Sequence, residues 1–249
     1  MIPSTRADGR AYDEHRPVEF GLGVAPAAQG SVLICCGNTR VICAASVVAG
    51  VPDWMAGRGV GWLTAEYAML PYATRPRSKR ELERLSGRTQ EIRRLIGRSL
   101  RASLDMAVLG ERTVCIDADV LEADGGTRTA AITGGWVALT CALQGLVAAG
   151  ELPPEALPTP VAAISVGIWR GQPILDLCYA EDSQAEVDLN VVMDGQGRFI
   201  EVQGTAEGQP FARTQLDAML GLAEQGIDSL LAQQRAAVGG RCCPGSEHR

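Results

Sequence analysis

The stretch Asp124-Gly125-Gly126-Thr127-Arg128-Thr129 joins two different periodicities, and it constrains the fold more than any other part of the chain. Before it, Val114-Cys115-Ile116-Asp117-Ala118-Asp119-Val120 alternates apolar residues with carboxylates, the pattern of a strand with one buried face. After it, Ile132, Trp136, Leu139, Leu143 and Leu146 recur at helical steps up to Gly150, which is placed to stop a helix. A strand, two glycines and a helix start bring free backbone N–H groups to one spot, with the positive end of the helix dipole behind them. Such a spot holds an anion. A bare Gly-Gly-Thr is more often just a capped turn, but Arg128 favours phosphate, because its planar fork binds two phosphate oxygens at once. Thr127 and Thr129 add hydroxyl donors.

Charge is unevenly distributed. The formal net charge of -6 argues against wholesale attraction to nucleic acid. Yet Arg75 to Arg101 holds ten Lys or Arg against three Asp or Glu, a local cation on an acidic body. That is the footprint of a site for a polyanion. The segment opens as a mobile basic loop, Pro71 to Ser86, with Arg75, Arg77, Lys79 and Arg80 along it. It turns helical at Gly87, with Ile92, Leu95, Ile96 and Ser99 on one face and Arg94, Arg98 and Arg101 on a second, solvated one. Arg88 fits a solvated stripe poorly, because a cation at a helix N-terminus is unfavourable unless an anion is present.

The rest of the chain supplies strands. Pro17 to Val24, Ser31 to Cys36 and Thr39 to Val48 read as an antiparallel meander, followed by a glycine- and aromatic-rich passage, Asp53 to Leu70. Beyond a proline-rich connector, Val161 to Trp169, Ile174 to Tyr179, Glu186 to Met193 and Phe199 to Gln203 read as consecutive hairpins, and Gln215 to Gln234 as an amphipathic helix. The fold class is α/β, with mixed sheets covered by helices. The cysteines read as small buried hydrophobes of a reducing compartment. The amino terminus lacks a signal-peptide core, no run reaches membrane-spanning length, and the expected location is cytoplasmic. His15 and His248 are the only histidines, and no Gly-x-Ser-x-Gly elbow, P-loop or zincin motif is present.

Many strings, in order, carry a resemblance over nearly the whole chain. They include Asp8-Gly9-Arg10, Arg16-Pro17-Val18, Gly61 to Tyr67, Gly87 to Ile92, Arg94 to Arg101, Ala123 to Ala130, Leu175-Asp176-Leu177, Glu181-Asp182-Ser183, Asp188 to Met193 and Glu201 to Gly208. In these the chain resembles the ribonuclease PH family of phosphate-dependent 3′ exoribonucleases. The resemblance implies one catalytic domain over residues 1–238, of a fold related to a ribosomal-protein βαβ domain, with 239–249 as a flexible tail. It implies that inorganic phosphate attacks the 3′-terminal phosphodiester of tRNA precursors, reversibly, and releases nucleoside diphosphates. Arg88 with Gly126, Thr127 and Arg128 would hold that phosphate, and Asp182 and Asp188 would act at the scissile bond. Two carboxylates on neighbouring hairpin strands can share a divalent cation, magnesium being the expected one, or one can stay protonated beside the other's charge. Both options stay open. Arg75, Arg77, Lys79 and Arg80 would contact the tRNA or other structured RNA through its phosphates.

The resemblance further implies a ring, expected as a homohexamer. Tyr72 stands where the family commonly has an arginine and Ala118 where it often has a cysteine; neither touches the chemistry. A non-catalytic RNA-binding ring subunit of the same fold is the alternative, and joint retention of Arg88, Thr127, Arg128, Asp182 and Asp188 argues against it. A small-molecule phosphorylase would have no use for the cationic loop.

Overall fold

The structure is a computed structural model, and it describes residues 6, 8–81 and 84–239. The polar amino terminus, apart from Arg6, and nearly all of the expected carboxy-terminal tail lie outside those residues. Strands β1 (Val18–Leu22), β2 (Gly30–Cys36) and β3 (Thr39–Ala49) form the expected antiparallel meander. Two more strands complete this first sheet in the order β1-β2-β3-β5-β4. Strand β4 (Trp62–Met69) lies within the passage read as glycine- and aromatic-rich, where the short alternation of Leu63, Ala65 and Tyr67 faces inward. It runs parallel to β5 (Arg112–Glu122), and the crossover between them carries α1 (Gly87–Arg101) and the short α2 (Met106–Leu109).

The second sheet has the order β7-β6-β8-β9, from β6 (Val161–Trp169), β7 (Gln172–Leu175), β8 (Val187–Asp194) and β9 (Phe199–Ala206). It is not a run of consecutive hairpins: β8 pairs with β6 rather than with β7. The strand expected at Ile174 to Tyr179 stops at Leu175. There the chain turns through Asp176, at φ 53°, and enters the short helix α4 (Tyr179–Asp182). A left-handed residue cannot continue a strand, and Asp is among the few non-glycine residues that accept it readily. Helix α5 (Arg213–Gly239) covers this sheet through Met219, Ala223, Ile227, Leu230 and Leu231.

Helix α3 (Thr127–Ala148) lies between the sheets. It packs on β2 and β3 of the first and on β6 of the second, and every residue from Thr129 to Leu143 is buried. Its length and hydropathy would allow it to cross a membrane, contrary to the sequence reading, but most of it is interior to the protein. Gly134 and Gly135 let it approach closely: a Cβ on Gly134 would sit 2.7 Å from the Ile34 side chain.

Helices α1 and α3 cover one face of the first sheet; Leu33, Ile42, Ala44 and Val48 lie on the other, beside Glu66, Asp117 and Asp119, all at least partly exposed. The helical face read as solvated is only partly so. Arg101 lies over the Trp62 ring at 4.7 Å and donates to the Leu63 carbonyl at 2.9 Å, while Arg98 grips Glu201 of β9 with two nitrogens. Cys35, Cys36, Cys43, Cys115 and Cys178 are free thiols; Cys43 is fully buried, and the other four are only partly so.

Candidate active site

The Gly-Gly turn has the geometry its sequence requires. Gly125 and Gly126 adopt φ of 79° and 65°, and a Cβ on Gly125 would sit 2.5 Å from the Leu177 carbonyl oxygen. Only glycine fits that contact. Gly126 is the N-cap of α3 without a side-chain cap, and the first turn contains no acid, so the helix end keeps its positive field.

A second helix starts nearby. Ser86 caps α1 by accepting from the Thr89 N–H at 3.1 Å, and exposed Arg88 follows in the first turn. Arg128 is held from two sides. Its Nη1 donates to Gln203 Oε1 of β9 at 3.2 Å and stands 3.5 Å from Glu91 Oε2 of α1, and Gln203 in turn donates to Glu91 at 3.2 Å. Beneath them the Tyr67 hydroxyl meets Thr127 Oγ1 at 2.9 Å. Burial raises the Tyr67 phenol, against the opposing hydrogen bond to Thr127 and the charges of Arg88 and Arg128.

The carboxylates come from the second sheet. Asp182 ends α4 and Asp188 lies on β8, so they do not occupy the neighbouring hairpin strands expected for them. Burial, and then the charge of Asp182, push the Asp188 carboxyl up to about 6, against Arg128, a hydrogen bond from Asn190 at 3.4 Å, and Arg88. Burial also raises Asp182; Arg88 and Arg128 pull it down, and Glu207 adds to the rise. Both arginines therefore act on both carboxylates, and Arg88, Thr127, Arg128, Asp182 and Asp188 share one site built from both sheets.

The basic loop divides at this point. A cleft of about 200 Å³ beside the site is lined by Tyr67, Leu70, Lys79, Arg80, Ser86 and Arg88, among others. Arg75 and Arg77 are exposed and do not line it.

A raised carboxyl has a measurable effect on stability. The Asp188 carboxyl binds its proton more tightly folded than unfolded, so its contribution is fully present below about pH 4 and is lost as pH rises through 6. Asp188→Asn should make the protein more stable at pH 7 by about 1–2 kcal/mol, allowing for partial solvent screening, and change little at pH 4. Urea unfolding at the two pH values reads this; equal effects at both would remove the assignment.

Sequence reading missed a set of buried arginines. Arg16, which precedes β1, donates to Asp176 through Nε at 2.8 Å and Nη2 at 2.6 Å, and through Nη1 to the Asp124 carbonyl at 2.5 Å. Thr39 Oγ1 donates to the Gly125 carbonyl at 2.7 Å. With its carbonyls held from behind, the Gly-Gly turn keeps its amides for the opposite side. Arg6 pairs with buried Glu181 through two nitrogens, and Arg10 reaches the Asp176 carbonyl at 3.0 Å. This network fixes the segment that leads into Asp182.

Two sheets joined by one buried helix, with Arg88 and Arg128 acting on the raised carboxyls of Asp182 and Asp188, define an α/β protein with a mixed-charge site fed by both sheets. The chain belongs to the 3′ exoribonuclease family: the model of its domain 1 matches residues 14–143 and that of its domain 2 residues 159–226. Among its relatives, Ribonuclease PH of Cyanothece sp. is 56% identical over 234 residues, covering 94% of this chain and 98% of that protein. Ribonuclease PH of Moorella thermoacetica is 57% identical over 236 residues, 94% of each. The fold is also that of rice Rrp46, with a TM-score of 0.76 at 19% identity over 94% of this chain and all of the other. It matches a chain of the Archaeoglobus fulgidus exosome with RNA bound to the active site equally well, at 0.76 and 20% identity over 92% of each.

Proposed function

We infer that this chain is a phosphorolytic 3′-to-5′ exoribonuclease that trims 3′-terminal nucleotides from tRNA precursors. The observation that carries the reading is the convergence of Arg88, the uncapped end of α3 and Arg128 on Asp182 and Asp188, in a chain of the 3′ exoribonuclease family. Phosphorolysis brings an anionic nucleophile against an anionic diester, so the site must supply positive charge and position. A phosphate oxygen attacks the terminal phosphorus. The bond to the preceding 3′ oxygen breaks, the nucleoside leaves as its 5′-diphosphate, and the shortened RNA keeps a 3′ hydroxyl that takes up a proton.

Asp188, with its carboxyl near 6, is suited to give that proton. A magnesium ion is the second option. Among the described residues no group of three His, Cys, Asp or Glu could hold a metal, but this ion is commonly held by one or two carboxylates plus substrate oxygens, and the part-buried pair Asp182 and Asp188 suits that mode. When bound there it would offset charge on the leaving oxygen.

Lys79 and Arg80, beside Arg88, lead away from the site and suit the phosphates of the RNA body, with Arg75 and Arg77 further out. The partly apolar outer face of the first sheet supports self-association into a ring, which we read as a hexamer. The test is a tRNA bearing extra 3′ nucleotides, incubated with and without phosphate. Nucleoside diphosphates should appear only with phosphate, and adding them back should lengthen the RNA. Equal trimming without phosphate, with monophosphates released, would make the protein a hydrolase.

A further inference from the structure

We propose that Tyr67 is a positioning residue for the phosphate nucleophile: its hydroxyl donates to Thr127 Oγ1 and so commits the Thr127 proton to the anion. The inference rests on the reading of the α3 end as the phosphate site.

Tyr67 lies on the inner side of β4 and is 4% exposed, and Thr127, in the first turn of α3, is 7% exposed. Their oxygens are 2.9 Å apart, and either could donate. Chemistry decides between the two arrangements. A phenol, which ionises near pH 10, is a stronger donor than an aliphatic hydroxyl. A hydroxyl that accepts from the phenol still has its own proton to give, and at the start of α3, next to Arg128 and with the charge of Arg88 also felt at Tyr67, the acceptor at hand is the bound anion. With the donor reversed, a Thr127 lone pair would face a phosphate oxygen, which is repulsive. Phosphate binding therefore selects the arrangement in which Tyr67 donates.

The position also explains why a hydroxyl is buried here. The Tyr67 ring belongs to the hydrophobic core with Leu63, Ala65 and Ile92, where a phenylalanine would fill nearly the same space. What the hydroxyl adds to the ring is the contact with Thr127. Tyr67 thus ties the first sheet to the helix end that holds the nucleophile, and it does so through Thr127 rather than through contact with phosphate.

The experiment measures trimming by the full chain. Phosphate is varied at saturating RNA and RNA at saturating phosphate, for the parent protein, Tyr67→Phe, Thr127→Val and the double variant. Tyr67→Phe should raise the KM for phosphate about fivefold to tenfold, as expected for one hydrogen bond to a charged ligand held through a relay, and leave the KM for RNA within about twofold. Thr127→Val should raise the phosphate KM at least as much. Adding Tyr67→Phe to it should change little, because the second effect passes through the first. Thr127→Ser, which keeps the hydroxyl, should stay within about twofold of the parent. The thermal midpoint of Tyr67→Phe should fall by no more than about 4 °C. Independent, multiplying effects in the double variant would overturn the proposal, as would an RNA KM that rises with the phosphate KM. If the parent trims without phosphate, the phosphate site itself is misread; if the parent needs phosphate but Tyr67→Phe leaves its KM unchanged, only the role of Tyr67 fails.

Discussion

Arg128→Ala should give a folded protein that trims RNA roughly 30- to 1,000-fold more slowly, because losing one charge-assisted contact to a transition state costs about 2–4 kcal/mol. The side chain is placed for that role. Gln203 and Glu91 hold its Nη1, and its charge lowers both Asp182 and Asp188. Its structural contribution is small by comparison. The contact to Glu91 is long and that residue is over one-third exposed, so its loss should cost well under 1 kcal/mol of stability. Neutralising Arg128 also removes an opposing charge from the carboxylates, so the pH at which the residual activity falls as the proton donor ionises should move upward. The measurement is kcat/KM against pH beside a thermal melt. A threefold loss or less, or a loss of activity that tracks a loss of folded protein, would remove Arg128 from the chemistry.

Removing Arg16 should be the most destabilising single change near the site. The Arg16–Asp176 pair is buried on both sides, with side chains 5% and 9% exposed, so Arg16→Met leaves a buried carboxylate with only the longer 3.5 Å contact from Arg10. Breaking such a pair costs about 3–5 kcal/mol. The pH dependence follows from the same pair. Burial alone would raise the Asp176 carboxyl, but hydrogen bonds and charge from Arg16, with a further contribution from Arg10, hold it below the usual range. Its folded value lies below its unfolded one, so its stabilisation is present above about pH 4 and is lost as pH falls through the folded value. Arg16→Met should flatten that acid limb. Asp176→Asn in the Arg16→Met background should recover part of the loss, since Asn tolerates the left-handed backbone at that position and carries no charge. Urea unfolding from pH 3 to 7 would test both statements, and a single-variant loss under about 1 kcal/mol would show that water reaches Asp176.

What was legible in the sequence was local. The β5–turn–α3 unit, the first turn of α1 and the meander each follow from periodicity and turn residues close together in the chain, and the structure has them. The missed parts depend on distance along the chain. Arg16 and Asp176 are 160 residues apart, Arg6 and Glu181 175, Glu91 and Gln203 112. No spacing rule links them, and a lone Arg, Asp or Gln reads as surface until its partner is known. Tyr67 was visible as a letter within Gly61 to Tyr67, but its value lies in facing Thr127, and that depends on β4 running parallel to β5. The strand expected to continue through Tyr179 failed for the opposite reason. Ile174 to Tyr179 is apolar enough for a strand, but the pairing of Asp176 with Arg16 outweighs local propensity.

Helix α3 has no solvent side from Thr129 to Leu143, because each sheet uses it as a wall. Neither sheet can open alone without stripping the other's support, so the two halves should melt as one cooperative unit despite having separate clusters of core residues. The backbone amides of α3 should then be the last to exchange with heavy water, and only through unfolding of the whole chain. The helix whose first turn we assign to the phosphate is thus continuous with the slowest-opening part of the molecule. Its donors should therefore stay fixed in place between turnovers.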